Sequence, residues 1–382
     1  MLKNFKVSTE IIIGSGSIEK IVSKAKEFNA SKVFVVTDKG IKEAGMLDRL
    51  IGIVKLAKLE VEVYDQVEAN PSIDCINKGF EVFRKDPAQL LVAIGGGSCI
   101  DAAKGIGILV TNPGDLSQYS GVNKLRNPTL PLIAIPTTAG TGSEVTSTAL
   151  ITDKKNKYKS AIVSPYNVPD VAILDATLLT NLPRKVAAET GLDALTHGIE
   201  AYTSIIATPI TNAIAIKAIE LISENIRCFV ARRDNLEIGE KMLVASNMGG
   251  IVLANARLGT VHAMAAPLGG HYNLSHGLVC AILLPYVMKF SLEGNLQKYA
   301  DIARAMGEDI GGLSLRSAAE KAVEALMNLN GDLGIPQKLS KLGVEKEKID
   351  ELTRDAMKGG LQNYNAAETS YKDISDLFEQ AI

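Results

Sequence analysis

The chain has 382 residues, 46% of them hydrophobic and 22% charged, with a formal net charge of −2 at pH 7. That balance excludes a disordered chain and offers no basic surface for nucleic acid. A single core seldom grows to this length, so two domains are expected. Residues 1–8, MLKNFKVS, lack the apolar stretch of a signal peptide, and no run of about 18 apolar residues is expected to cross a membrane. The expected compartment is the cytoplasm. Cys75, Cys99, Cys228 and Cys280 are scattered without a CxxC pair, so neither a disulfide framework nor a thiolate zinc knuckle is indicated, and they are expected to be buried small hydrophobes.

In the first half, short β-branched runs alternate with helical patterns: KVFVVTD (32–38), VEVYDQV (61–67), QLLVAIGGG (89–97), PLIAIPTTAG (131–140) and VAILDA (171–176). This rhythm predicts βαβ units. The continuous apolar run Leu90 to Ile94 predicts a strand buried on both faces, as in a parallel sheet covered by helices. Asp38 ends the first of these strands. It is either an acceptor for an adenosine ribose, favouring NAD over NADP by repelling a 2′-phosphate, or an ordinary turn aspartate before Lys39-Gly40.

GGGSCIDAAK (95–104) follows a strand and opens a helix. Its glycines allow backbone N–H groups to approach an anion, and the helix N-terminus favours a pyrophosphate there. The competing explanation is that Ser98 and Asp101, at capping-box spacing, merely start the helix. PTTAGTGSEVT (136–146) is a second loop after a strand, and Thr137, Thr138, Thr141 and Ser143 crowd it with hydroxyl donors suited to a cofactor. Neither loop is the GxGxxG pattern of the common dinucleotide fingerprint.

Leu182-Pro183-Arg184 is the expected joint, because proline restricts the residue before it and readily opens a helix. The predicted domains are an α/β unit over 1–183 and an all-helical unit over 184–382, where Ala-rich amphipathic stretches replace the strand signal. All four histidines lie in this second half: His197, His262, His271 and His276. In GLDALTHGIEAY, Asp193 and His197 are four apart and leave one helix face together. In GTVHAMAAPLGGHYNLSHG, His262 and His276 sit in apolar, glycine-rich surroundings where an imidazole needs a partner. A mixed N/O set of this kind suits Fe²⁺ or Zn²⁺ better than Mg²⁺ or Ca²⁺. His271 is left as a proton relay, a substrate contact or a core histidine.

These four motifs, in order and spacing, resemble the iron-containing (group III) alcohol dehydrogenase family, and within it the lactaldehyde reductases and propanediol dehydrogenases. The resemblance spans essentially the whole chain. It implies a Rossmann-like parallel-sheet domain followed by an all-helical domain, an active site in the cleft between them, and a homodimer or higher homo-oligomer. Asp193, His197, His262 and His276 match the family's metal ligands, and Asp38, Asn70, Gly96, Gly97, Ser98, Asp101, Thr137, Thr138, Thr141, Thr146 and Lys159 match its NAD contacts. Many members carry a further histidine four residues after the third ligand, where this chain has Ala266; His271 is the substitute relay to be tested.

The implied activity is NAD-linked oxidation of a small alcohol or diol, or reduction of an aldehyde, with Fe²⁺ or Zn²⁺ polarising the substrate oxygen. Ala263, Ala265 and Ala266 are expected to leave room for a modest pocket. The alternatives are a metal-dependent hydrolase, which would give the glycine loop no cofactor to hold, and an enzyme resembling dehydroquinate synthase or glycerol dehydrogenase. No nucleic-acid or membrane partner is expected.

Overall fold

A computed structural model describes residues 3–155 and 158–382 of the chain. Val7–Leu182 with Arg233–Leu243 forms one compact unit, and Pro183–Arg232 with Val244–Ile382 and the residues before Val7 forms the other. The division at Leu182–Pro183 is thus not the only crossing. Arg233–Leu243 packs with the first unit, so neither unit is one continuous stretch of chain.

In the first unit the strands are β1 (Glu10–Ile13), β2 (Lys32–Val36), β3 (Glu60–Tyr64), β4 (Leu90–Gly95), β5 (Gly121–Val122), β6 (Leu132–Pro136), β7 (Thr148–Asp153), β8 (Tyr158–Val163) and β9 (Val171–Leu174). Six of them form a sheet in the order β1-β9-β6-β4-β2-β3. Every pairing in it is parallel, with Val33 opposite Leu90, Leu91 opposite Leu132 and Ile133 opposite Val171. Side chains alternate across a pleated strand, so consecutive apolar residues must enter different cores. They do: Val33, Val35, Leu90, Val92, Ile94, Ile133 and Ile135 fill one buried cluster. Phe34, Val36, Leu91, Ala93, Leu132 and Ala134 fill the other. The apolar runs are continuous because both faces are covered. A small second sheet, β5-β8-β7, was not expected from the sequence pattern.

The chain runs from β2 outward to β3, then crosses back to β4 on the other side of β2. Such a reversal opens a crevice at the carboxyl ends of the two strands, where α/β sheets bind ligands. Thr37 Oγ1 donates to Ile94 O at 2.7 Å, and Thr137 N donates to Gly95 O at 3.0 Å, fixing the ends of β2, β4 and β6 relative to one another.

The second unit contains helices and no strand among the described residues. One segment, His276–Gly294, is by length and composition alone apolar enough to cross a membrane, although Lys289 and Glu293 interrupt it. Its side chains are mostly buried among the other helices, as in the core helix of a folded domain, and His276 stands at its first position.

The helix Gly97–Thr111 brings Lys104 into the first unit's interior, where it is 1% exposed. Its Nζ donates to the carbonyls of Ser143, Thr146 and Thr148 at 2.7, 2.9 and 2.8 Å, and so ties the loop after β6 to the helix. Burial pushes its pKa down from 10.5 to about 8, against the opposing pull of Asp101 and Glu144. Between those two values the unfolded chain binds more protons than the folded protein, so this residue makes stability rise with pH across that window. Lys104→Met is expected to lose that slope in chemical denaturation measured from pH 7 to pH 10. It is also expected to cost about 1–3 kcal/mol for each carbonyl left unsatisfied.

Candidate metal centre and dinucleotide loop

The helix Arg184–Thr203 carries Asp193, His197 and Glu200 at positions i, i+4 and i+7, one stripe along its length. His262 comes from the helix Thr260–Tyr272 and His276 from the helix His276–Ser291. Close approach of the first and third helices requires Gly277, because a Cβ there would lie 2.2 Å from the Glu189 carbonyl oxygen. Ser275, the residue before the third helix, donates its hydroxyl to Glu189 Oε2 at 2.5 Å and fixes the same junction.

The structure brings all four expected ligands together. Asp193 Oδ1 lies 3.8 Å from Nε2 of His197, of His262 and of His276. For metal bonds of about 2.0–2.2 Å, two ligands on one ion stand roughly 3–4 Å apart, so this spacing fits a single shared cation. Asp193 Oδ1 is buried and accepts no hydrogen bond, an orphaned acceptor that a cation would satisfy. Burial pushes the Asp193 carboxyl up, but the attraction of His197, His276 and His262 outweighs it and holds the pKa below the ordinary carboxylate value. The His197 and His262 rings stack with centroids 4.9 Å apart. His276 is less enclosed than expected: its side chain is 32% exposed, so the cluster opens to solvent on that side.

Glu200 is the functional residue that sequence reasoning missed. Its Oε2 lies 2.6 Å from His262 Nδ1, and its Oε1 accepts from Val261 N at 2.7 Å. With Nδ1–H donated to the carboxylate, the Nε2 lone pair of His262 is left facing Asp193 and available to a metal. Its spacing, three residues after His197 and seven after Asp193, was the available signal.

The thiols also depart from expectation. Cys228 is exposed, while Cys280 lies beside the ligands, its Sγ 3.7 Å from His276 Nε2 and 4.0 Å from His262 Nε2. His271 is not brought to the cluster. It stands nine residues after His262 on the same helix, two and a half turns away and so on the opposite face, about 13 Å further along the axis. There its Nε2 meets Asp355 Oδ2 at 2.7 Å and its Nδ1 lies 3.7 Å from Glu351. Of the three alanines expected near the third ligand, Ala263 and Ala265 are buried in the core and only Ala266 is exposed.

In the first unit, Gly96 is the N-cap of the helix Gly97–Thr111, and no side chain caps it. Ser98 and Asp101 therefore lie inside the helix and form no capping box. A Cβ on Gly97 would come within 2.8 Å of the Thr141 side chain, and one on Gly96 within 3.6 Å of Thr138, so the two loops meet across the glycines. This is a cradle of bare backbone at a helix N-terminus, which fits a pyrophosphate. Ser98 Oγ accepts from Asn70 N at 3.3 Å, bringing a third loop to the same place.

Asp38 serves as the N-cap of the helix Lys39–Glu43, its Oδ1 accepting from Ile41 N at 3.0 Å, while its Oδ2 lies 3.2 Å from Cys99 Sγ. Asp101 and Thr146 turn inward. Asp101 accepts from Ser143 Oγ and Leu150 N, and the oxygens of Thr146 accept from Lys104. Thr137 is buried beneath the loop. The side chain of Lys159 lies outside the described residues.

Two family models match the chain: "Iron-containing alcohol dehydrogenase" over residues 8–176 and "Fe-containing alcohol dehydrogenase family, C-terminal" over residues 187–382. The chain is 43% identical to the 1,3-propanediol dehydrogenase of Citrobacter freundii over 371 residues, covering 97% of this chain and 96% of that protein. It is 40% identical to the lactaldehyde reductase of Escherichia coli K12, covering 96% of each. Its structure is similar to the crystal structure of a 1,3-propanediol oxidoreductase, with a TM-score of 0.98, 41% identity and full coverage of both chains. The chain therefore belongs to the iron-containing alcohol dehydrogenase family.

Replacing Glu200 by Gln keeps the shape but removes the charge that orients His262. Metal affinity, measured by competition with a chromophoric chelator, is expected to fall about 10–100-fold. For His271→Ala the expectation is the reverse of a relay: pH–rate profiles that superimpose on the parent, because this imidazole is engaged with Asp355. A displaced limb in the variant would return His271 to the reaction.

Proposed function

We propose that this member of the iron-containing alcohol dehydrogenase family interconverts small alcohols or diols with their aldehydes at the cluster of Asp193, His197, His262 and His276, using NAD(H). The observation that carries the reading is the buried Asp193 oxygen facing three imidazole nitrogens at one common distance of 3.8 Å. The family uses NAD(H) and a divalent metal, usually iron. Fe²⁺ or Zn²⁺ held by these four residues supplies Lewis-acid polarisation of the alcohol or carbonyl oxygen.

The chain's own groups then have distinct tasks. Asp193 provides the negative charge, and His197, His262 and His276 provide neutral nitrogen donors, with Glu200 locking the ring of His262. Substrate approaches on the side of His276, the most exposed of the four, and exposed Ala266, one turn after His262, leaves that neighbourhood uncrowded. No side chain is needed as a nucleophile. Gly96 and Gly97 offer backbone N–H groups to the pyrophosphate, with Asn70, Ser98, Thr138 and Thr141 gathered around them. Asp101, Thr137 and Thr146 position those loops from beneath.

Asp38 remains our proposed determinant of NAD over NADP. Its capping bond uses Oδ1 and leaves the carboxylate charge in place at the carboxyl end of β2, where a 2′-phosphate would be repelled. A homodimer or higher homo-oligomer and a cytoplasmic location belong to the same proposal. A metal-dependent hydrolase is not favoured, since it gives the glycine cradle nothing to hold.

NADH oxidation driven by a small aldehyde such as lactaldehyde or 3-hydroxypropanal is expected to disappear on exhaustive chelation and to return with Fe²⁺ under anaerobic conditions. Full turnover by the chelated protein would remove the metal cluster from the reaction.

A further inference from the structure

The ligand atoms of Asp193, His262 and His276 are not alone in their cluster. Cys280 Sγ joins them, and all four atoms lie within 4.8 Å of one another. Cys280 stands four residues after His276, so both leave the same face of one helix. Its side chain is fully buried. Sγ lies 3.7 Å from His276 Nε2 and 4.0 Å from His262 Nε2, on the nitrogens expected to hold the metal and not on the backs of the rings.

We infer that Cys280 is a further ligand of this metal, making the set one of carboxylate, imidazole and thiolate. The inference rests on the metal site proposed above. When the ion enters, the S–H bond breaks, its proton passes to solvent and an Sγ–metal bond forms, as for any coordinating thiol. Thiolate is a soft donor, so its presence shifts selectivity toward Zn²⁺ and Co²⁺ and away from hard ions such as Mn²⁺.

The test is to add one equivalent of Co²⁺ anaerobically to the metal-free full-length protein and record the near-ultraviolet and visible spectrum. The expected result is a thiolate-to-cobalt charge-transfer band in the wild type that is lost in Cys280→Ala and in Cys280→Ser, while the visible ligand-field bands survive in both variants. Cys75, Cys99 and Cys228 are unchanged in those variants and act as internal controls. In parallel, Cys280→Ala is expected to weaken Zn²⁺ binding about 10–100-fold and Mn²⁺ binding much less, roughly threefold at most. Ligand-field bands without the charge-transfer band in the wild type, or a band that persists in Cys280→Ala, overturn the inference and leave the four-residue metal site standing. Failure of the wild type to take up Co²⁺ overturns both.

Discussion

Two carboxylates, Asp193 and Glu200, lie almost fully enclosed on one stripe of the helix Arg184–Thr203, at 3% and 5% exposure. Burying one carboxylate costs several kcal/mol unless positive charge or donors surround it, and burying two on one face costs more. His262 stands between them, with Nδ1 toward Glu200 and Nε2 toward Asp193. His197 and His276 also face Asp193, and the proposed cation would complete its shell. Much of the local packing follows from that requirement. The helix His276–Ser291 must come near enough to place His276 at Asp193, which is why Gly277 faces the Glu189 carbonyl with no room for a side chain.

The first unit solves a related problem with the opposite sign. Lys104 is a buried ammonium whose hydrogen bonds converge on carbonyls of the segment between β6 and β7. Its partner charges, Asp101 and Glu144, are buried as well. This interior network holds the loop after β6 against the glycines after β4, so the crevice at the carboxyl ends of β2 and β4 is shaped from below. Asp101 and Thr146, which the family resemblance implied as NAD contacts, take part in that network. The face left toward the crevice is mainly backbone and short hydroxyls, which suits recognition of a phosphate more than of a base.

What was legible in the sequence depended on how strongly one physical rule acted alone. Strands β2, β4, β6 and β9 are buried on both faces, and their apolar runs announce them. β7 and β8 are only partly covered and contain Thr, Ser, Asp and Lys, so neither a continuous run nor a clean alternation marks them. The candidate metal ligands were legible through context: an aspartate and a histidine at helical spacing are ordinarily a solvated or capping pair, but His262 and His276 in apolar, glycine-rich surroundings call for a shared partner. Glu200 was not, because a glutamate on a helix is ordinarily a surface residue, and only its i+7 relation to Asp193 places it inside. Cys280 read as a small hydrophobe for the same reason: burial looks alike in sequence whether a sulfur meets carbon or a ligand nitrogen. His271 was misleading through proximity. Nearness along the chain counts for little when nine residues of helix turn a side chain to the opposite face.

The position of Ala266 bears on how this chain differs from relatives with a second imidazole one turn after the third ligand. A histidine at 266 would stand on the exposed side of the helix Thr260–Tyr272, within a turn of His262, and would offer a nitrogen to a proton leaving the substrate. Here the methyl group offers none, and His271 is engaged with Asp355 beyond reach of that turn. Among the histidines only His276 borders solvent at the cluster, and its Nε2 faces Asp193. Beyond the candidate ligands, therefore, no imidazole of this chain stands at the cluster.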